Sequence, residues 1–334
     1  MTAVIETSPS ATGPLQEWYV PSRLDPQARL YVRALGGQPR TGGTPVVLVH
    51  GFFQPASAIL DVQGYSLLEC LAAAGLRTYL FDFRGYGRSS RPAFMDLAPE
   101  ASLPSLGCMD DALADLRDIV SFVLAQEGVD RVDLLGYSWG TARSARYALT
   151  EKGQIRRLAL YAPVWRPVTG AASTASAPGR PGVLNPDWGG YTTFRPGDLR
   201  KSWDWEIAGL APSLFRGERV LEAAEGALMD SDQGWPEAGF RAPLGPMVDA
   251  LSVARGEALF DAGRIGHEVL LLRGAQDHLS TETDAGALFT ALGSRRKRLV
   301  TIGYGTHLLH LEHARDQLMQ ELIAFLRGPE SGRG

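Results

Sequence analysis

Val132-Asp133-Leu134-Leu135-Gly136-Tyr137-Ser138-Trp139-Gly140 sets a serine between two glycines directly after an apolar run. A serine hydroxyl is a weak nucleophile at neutral pH, so a chain that uses one must project it toward a base and toward oxyanion donors. A tight strand-to-helix turn does this, and flanking glycines leave room for it. In a chain of 334 residues with 38 glycines, Gly-x-Ser-x-Gly also arises by chance. The order of the surrounding elements therefore decides its meaning.

Outward from Ser138, short apolar runs alternate with longer helical patterns. Leu30–Leu35, Val46–Val49, Thr78–Asp82, Leu158–Ala162, Val269–Gly274 and Arg298–Ile302 read as strands. Several are continuously apolar, as strands buried on both faces must be. Tyr65–Ala74 reads as a helix stopped by Gly75, and Asp110–Gln126 carries Leu113, Leu116, Ile119, Val120 and Val123 at helical spacing. Thr141–Leu149 and Arg315–Arg327 follow the same pattern. Such alternation predicts βαβ units, an α/β fold with a mostly parallel central sheet flanked by helices. Regularity breaks between residues 164 and 263, where Trp188, Trp203, Trp205 and Trp235 fall, and a mainly helical cap or lid is expected there. Its aromatics read chiefly as the cap's own core. The expected organisation is an unstructured leader at 1–16, a core from 17–163 and 264–327, the cap at 164–263, and an unstructured tail at 328–334.

In wound sheets, ligands bind beyond the carboxyl ends of the strands. Ser138, Asp277 and His307 each follow a strand, in the order serine, acid, histidine. Asp277 is preferred over Asp284 and Asp187 because it lies in the turn after a buried strand. His50 reads as a structural histidine, His278 as a turn residue, and Arg84 and Ser89 as supports for their loop. His307, His310 and His313, spaced by three, imitate a metal-binding helix face. No carboxylate pair completes such a set; a helix is expected to start near His307, with His310 and His313 as packing or surface residues.

Five blocks in order resemble the α/β-hydrolase family across roughly residues 28–327. They are His50-Gly51-Phe52, Asp82-Phe83-Arg84-Gly85-Tyr86-Gly87-Arg88-Ser89, the serine motif, Gly274-Ala275-Gln276-Asp277, and Gly305-Thr306-His307 followed by Glu312. The resemblance implies Ser138 as nucleophile, His307 as general base and Asp277 as the acid that orients it. It implies an oxyanion hole made by the backbone N–H groups of Phe52 and Trp139. Candidate substrate contacts are Phe53, Trp165, Arg166, Trp203, Trp205 and Leu308.

The implied activity is hydrolysis of a small-molecule carboxylic ester through an acyl-enzyme. A C–C bond hydrolase, an amidase, a thioesterase or an acyltransferase would use the same triad, and a noncatalytic binding module could share the fold. A weaker resemblance, to hydrolases of aromatic dicarboxylic acid monoesters, implies that Arg84 or Arg166 pairs with a free carboxylate. Net charge is −4 with scattered cations, which argues against nucleic-acid binding. Cys70 and Cys108 are too few for a disulfide framework or a cysteine metal site. There is no signal-peptide pattern and no apolar run long enough to span a membrane, so a cytoplasmic enzyme without metal or organic cofactor is expected.

Overall fold

Strands buried on both faces send alternate side chains into two separate cores, and the apolar runs of this chain do so. The computed structural model describes residues 4–8, 13–37, 43–101, 106–166, 175–185, 187–235 and 237–328. In chain order its first seven strands are β1 (Val4–Ser8), β2 (Leu15–Pro21), β3 (Arg29–Leu35), β4 (Val46–Val49), β5 (Thr78–Phe81), β6 (Val132–Tyr137) and β7 (Ile155–Tyr161). Two small antiparallel sheets follow, the β8 (Ser176–Ala177)–β9 (Arg180–Leu184) hairpin and the long-range pair β10 (Tyr191–Phe194) with β11 (Phe240–Pro243). β12 (Glu268–Gly274) and β13 (Lys297–Ile302) complete the set. The main sheet runs β1-β2-β3-β5-β4-β6-β7-β12-β13. From β5 to β13 every pairing is parallel, whereas β1, β2 and β3 join antiparallel.

Val47, Val49, Leu134, Leu158, Leu160, Val269 and Leu271 face one core. Their neighbours Val46, Leu48, Leu135, Ala159, Tyr161, Leu270 and Leu272 face the other. Among the described residues the α-helices are α1 (Ala56–Ile59), α2 (Leu67–Ala73), α3 (Met109–Glu127), α4 (Trp139–Thr150), α5 (Asp198–Ile207), α6 (Glu218–Met229), α7 (Gly245–Ala254), α8 (Glu282–Ala291) and α9 (Arg315–Arg327). α3, α4 and α8 cover the first core, and α2 and α9 the second. α2 starts later than expected because Ser66 caps it, its hydroxyl accepting from Glu69 N. No helix among the described residues is long and apolar enough to cross a membrane.

One expectation needs correction. Val4–Ser8 and Leu15–Pro21 are strands, with Val4 opposite Trp18 and Ser8 opposite Leu15. An edge strand satisfies its backbone groups by pairing and needs little buried area of its own, so a segment without clear apolar periodicity can still extend a sheet. The expected tail, beyond Gly328, lies outside the described residues, as do 1–3 and 9–12 of the expected leader. The segment expected as a mainly helical cap holds α5, α6 and α7 together with the two small sheets. Its side chains enter both cores, Met247 and Leu251 on one side of the sheet and Leu199, Trp203 and Leu221 on the other.

One close approach fixes the centre of the sheet. A Cβ on Gly140 would lie 2.1 Å from Val49 O and 2.6 Å from His50 O. In a helix, Gly→Ala ordinarily gains about 1 kcal/mol. Here the obstacle is backbone on a buried strand, so the overpacking cost, on the order of 3 kcal/mol, should win. Gly140→Ala is therefore expected to lower the midpoint of chemical denaturation. An unchanged or raised midpoint would show that α4 can move away from β4.

Candidate active site

Ser138 follows β6 and precedes α4 with φ 54° and ψ −125°, a conformation that non-glycine residues adopt at a cost. The turn is held on both sides. Ser138 N donates to Tyr161 O at 3.0 Å, and Thr141 N and Oγ1 donate to Ser138 O at 2.9 and 2.6 Å. The hydroxyl is thereby pushed out of the sheet, 2.8 Å from His307 Nε2.

His307 lies in the loop after β13, and Asp277 in the turn after β12. The two segments are stitched together: Ala275 N donates to Ile302 O at 2.8 Å, and Gln276 N to Gly305 O at 2.8 Å. His307 Nδ1 sits 3.0 Å from both Asp277 oxygens. A carboxylate on Nδ1 assigns the proton to that nitrogen and leaves Nε2 to accept from Ser138. Asp277 is held in turn by Leu279 N at 2.9 Å and Ser280 N at 2.7 Å. Burial pulls the His307 pKa down, but the charge and hydrogen bond of Asp277 outweigh it, with Glu206 and Glu312 adding, so the ring ends above its ordinary value.

The loop after β4 abuts the serine. A Cβ on Gly51 would stand 2.9 Å from Ser138 Cβ and 3.4 Å from its Oγ. Neither Phe52 N nor Trp139 N is used by another acceptor among the described residues. His50 is fully buried; its Nε2 accepts from Phe83 N at 3.1 Å and its Nδ1 lies 3.0 Å from Gly51 O. That pairing requires the neutral ring, consistent with burial and Arg143 holding its pKa well down.

The family model described as the alpha/beta hydrolase fold matches residues 44–201. The proline iminopeptidase of Heyndrickxia coagulans is 34% identical over 130 residues, 37% of this chain and 38% of the relative, so the match spans well under half of that protein. An esterase from Exiguobacterium antarcticum has a similar structure, with TM-score 0.57 and 19% identity over 93% of this chain and 99% of the esterase. So does the 2-hydroxy-6-oxo-6-phenylhexa-2,4-dienoate hydrolase of a Rhodococcus strain, with TM-score 0.53 and 17% identity over 98% of this chain and all (100%) of the other. The chain has the α/β-hydrolase fold.

Within this α/β-hydrolase fold several expected residues lie elsewhere. Trp203, expected at the substrate, is fully buried and donates its indole N–H to Glu312 at 2.7 Å, because α5 packs it against the histidine loop. Trp205 is 57% exposed with its ring against His278, so it faces solvent beside the acid turn. Arg84 cannot greet a carboxylate, since its Nε is bound to Asp115 at 2.7 Å in a buried pair. Arg166 is exposed, its guanidinium 4.8 Å from the Trp165 ring, while Trp165 donates to Phe260 O at 2.8 Å. Phe53 stacks on Phe52 and meets Phe194 of β10 edge-on. Leu308 is buried beside His307. No helix starts at His307: a 3-10 turn spans Leu309–Leu311 and α9 begins at Arg315. His310 is buried, with Nε2 3.0 Å from Ile59 O and Nδ1 3.1 Å from the Tyr161 hydroxyl. Burial holds its pKa down to about 3. Among the described residues, no group of three His, Cys, Asp or Glu is placed to hold a metal.

Three acids surround His307, and one was not expected from the sequence. Glu206, on α5 and 1% exposed, accepts from His278 N at 3.0 Å through Oε2, while Oε1 is buried without a partner. Burial pushes its carboxyl up to about 7, with His307 pulling it down and Asp277 pushing it up. Glu312 accepts from Thr306 N at 2.8 Å and Thr306 Oγ1 at 2.6 Å. Glu206 three residues after Trp203 on one helix was the available sign, since that spacing puts both on one face. A negative Glu206 favours the imidazolium, so Glu206→Gln should lower the His307 pKa seen by histidine NMR titration. An unchanged or higher value would mean that Glu206 stays neutral over that range.

Proposed function

We propose that this protein is a serine hydrolase that cleaves a small-molecule carboxylic ester through an acyl-enzyme. The observation that carries the reading is the continuous chain Ser138 Oγ, His307 Nε2, His307 Nδ1, Asp277, with distances of 2.8 and 3.0 Å. In the first half-reaction His307 Nε2 takes the Ser138 proton as Oγ bonds to the carbonyl carbon. The carbonyl oxygen takes the charge, facing the N–H groups of Phe52 and Trp139, where each donor contributes on the order of 3 kcal/mol. His307 then gives its proton to the departing alkoxide. Water repeats the sequence, releasing acid and restoring the serine. Asp277 orients and stabilises the imidazolium in both halves. Residues 164–263 serve in this reading as a cap over the site.

Because the raised His307 pKa sets how much neutral base is present, turnover should rise with pH through that pKa. Amide cleavage is the second reading, since the 34%-identical relative is named as a peptidase. With Arg84 consumed by Asp115, a preference for anionic aromatic monoesters rests on Arg166, which is exposed.

Ser138→Ala should leave a folded protein whose kcat falls by about 10⁴-fold or more. A fluorophosphonate should label the native chain and not the variant. A panel of p-nitrophenyl esters, proline-type amides, thioesters and a dienoate-type diketone then fixes the reaction class; near-normal turnover by Ser138→Ala overturns the assignment. In the same panel Arg166→Ala should cut the rate ratio of an aromatic monoester to its neutral diester several-fold. An unchanged ratio removes the anionic-substrate reading.

A further inference from the structure

Arg143 lies on α4, five residues after Ser138, and is fully buried. Its Nη1 donates to Gly51 O at 3.0 Å and stands 3.5 Å from His50 O, and its Nη2 donates to Gly107 O at 3.1 Å. The guanidinium covers the Phe83 ring at 4.4 Å, and Nε has no partner. No carboxylate among the described residues lies within ion-pair distance of it. Asp249 of α7 and the Tyr86 hydroxyl are the other titratable groups that feel its charge, with His50.

A buried cation held by backbone carbonyls and the Tyr86 hydroxyl, with no carboxylate paired to it, costs desolvation that an apolar side chain of the same size would avoid. Its return lies at one peptide. Gly51 O belongs to the Gly51–Phe52 unit, which is trans and planar, so its carbonyl and the Phe52 N–H point in opposite directions. With Arg143 and the His50 Nδ1–H both on Gly51 O, the carbonyl is fixed and the N–H is aimed the other way. Donation to the carbonyl also polarises the peptide and makes its N–H a stronger donor.

We propose that Arg143 is a positioning residue for the oxyanion hole: it orients and polarises the Gly51–Phe52 peptide so that the Phe52 N–H meets the developing oxyanion. The inference rests on the serine-hydrolase reading above. Helix α4 then supplies both halves of the hole, Trp139 N–H directly at its first residue and Phe52 N–H through Arg143 one turn later.

The experiment compares native protein with Arg143→Met, Arg143→Gln and Arg143→Lys, all checked for native circular dichroism, on p-nitrophenyl butyrate and with an alkylboronic acid that forms a tetrahedral serine adduct. Arg143→Met should lower kcat on the order of 10²-fold with KM changed less than about threefold, the size of one lost oxyanion donor. Boronate affinity should fall in step with kcat, and Arg143→Lys should recover part of both. A merely structural role would instead lower the melting temperature without separating kcat from KM. Folded Arg143→Met with near-native kcat, or a loss confined to KM, overturns the inference while leaving the hydrolase reading intact. Native protein that neither turns over ester nor takes up a fluorophosphonate overturns both. Should Arg143→Met fail to fold, Arg143→Gln and Arg143→Lys decide by the same criteria.

Discussion

The contact that the site depends on is backbone against backbone: the first turn of α4 pressed on the end of β4. Gly140 permits it, because any side chain there would enter the carbonyls of Val49 and His50. Gly136 does the same one residue before the turn, where a Cβ would lie 2.5 Å from Gly140 O. These two approaches make β6, the Ser138 turn, α4 and the His50–Phe52 loop one rigid unit. The strained φ of Ser138 persists because hydrogen bonds from both flanks over-determine it.

A second glycine pair performs the equivalent task for the acid and the histidine. A Cβ on Gly274 would stand 2.1 Å from Gly305 O, so the end of β12 and the loop after β13 touch through backbone. Asp277 and His307 are thirty positions apart in sequence yet meet at 3.0 Å because of this contact. The serine and acid–histidine halves then meet in the hydrogen bond from Ser138 to His307. Tyr161 braces that junction from below, its hydroxyl 3.0 Å from His307 O and accepting from His310 N.

What the sequence made legible follows from this. Strand ends, flanking glycines and chain order are local signals, and they located Ser138, Asp277 and His307 at neighbouring strand ends of the sheet. Cross-chain partners carry no local signal. Arg143 looks like any helix residue until Gly51 and Gly107 are brought to it, and Glu206 looks like a solvated acid until α5 lands on the acid turn. Trp203 was misplaced for the opposite reason, since an aromatic in an irregular segment says that area is buried but not against what. The leader was missed because pairing at a sheet edge is a backbone interaction, to which apolar periodicity is blind.

The seating of α5 ties it to the chemistry of His307. Trp203 and Glu206 both point from α5 into the loops that carry Asp277 and His307, through Glu312 and through the His278 N–H. Bonds to buried carboxylates are costly to break, because each leaves a charge or an acceptor without a partner in a dry environment. Lifting α5 would therefore take the Trp203 donor from Glu312 and carry Glu206 away from His307, removing one of the acids that raise the His307 pKa. The helix that holds the acid turn and the histidine loop thus also tunes the base.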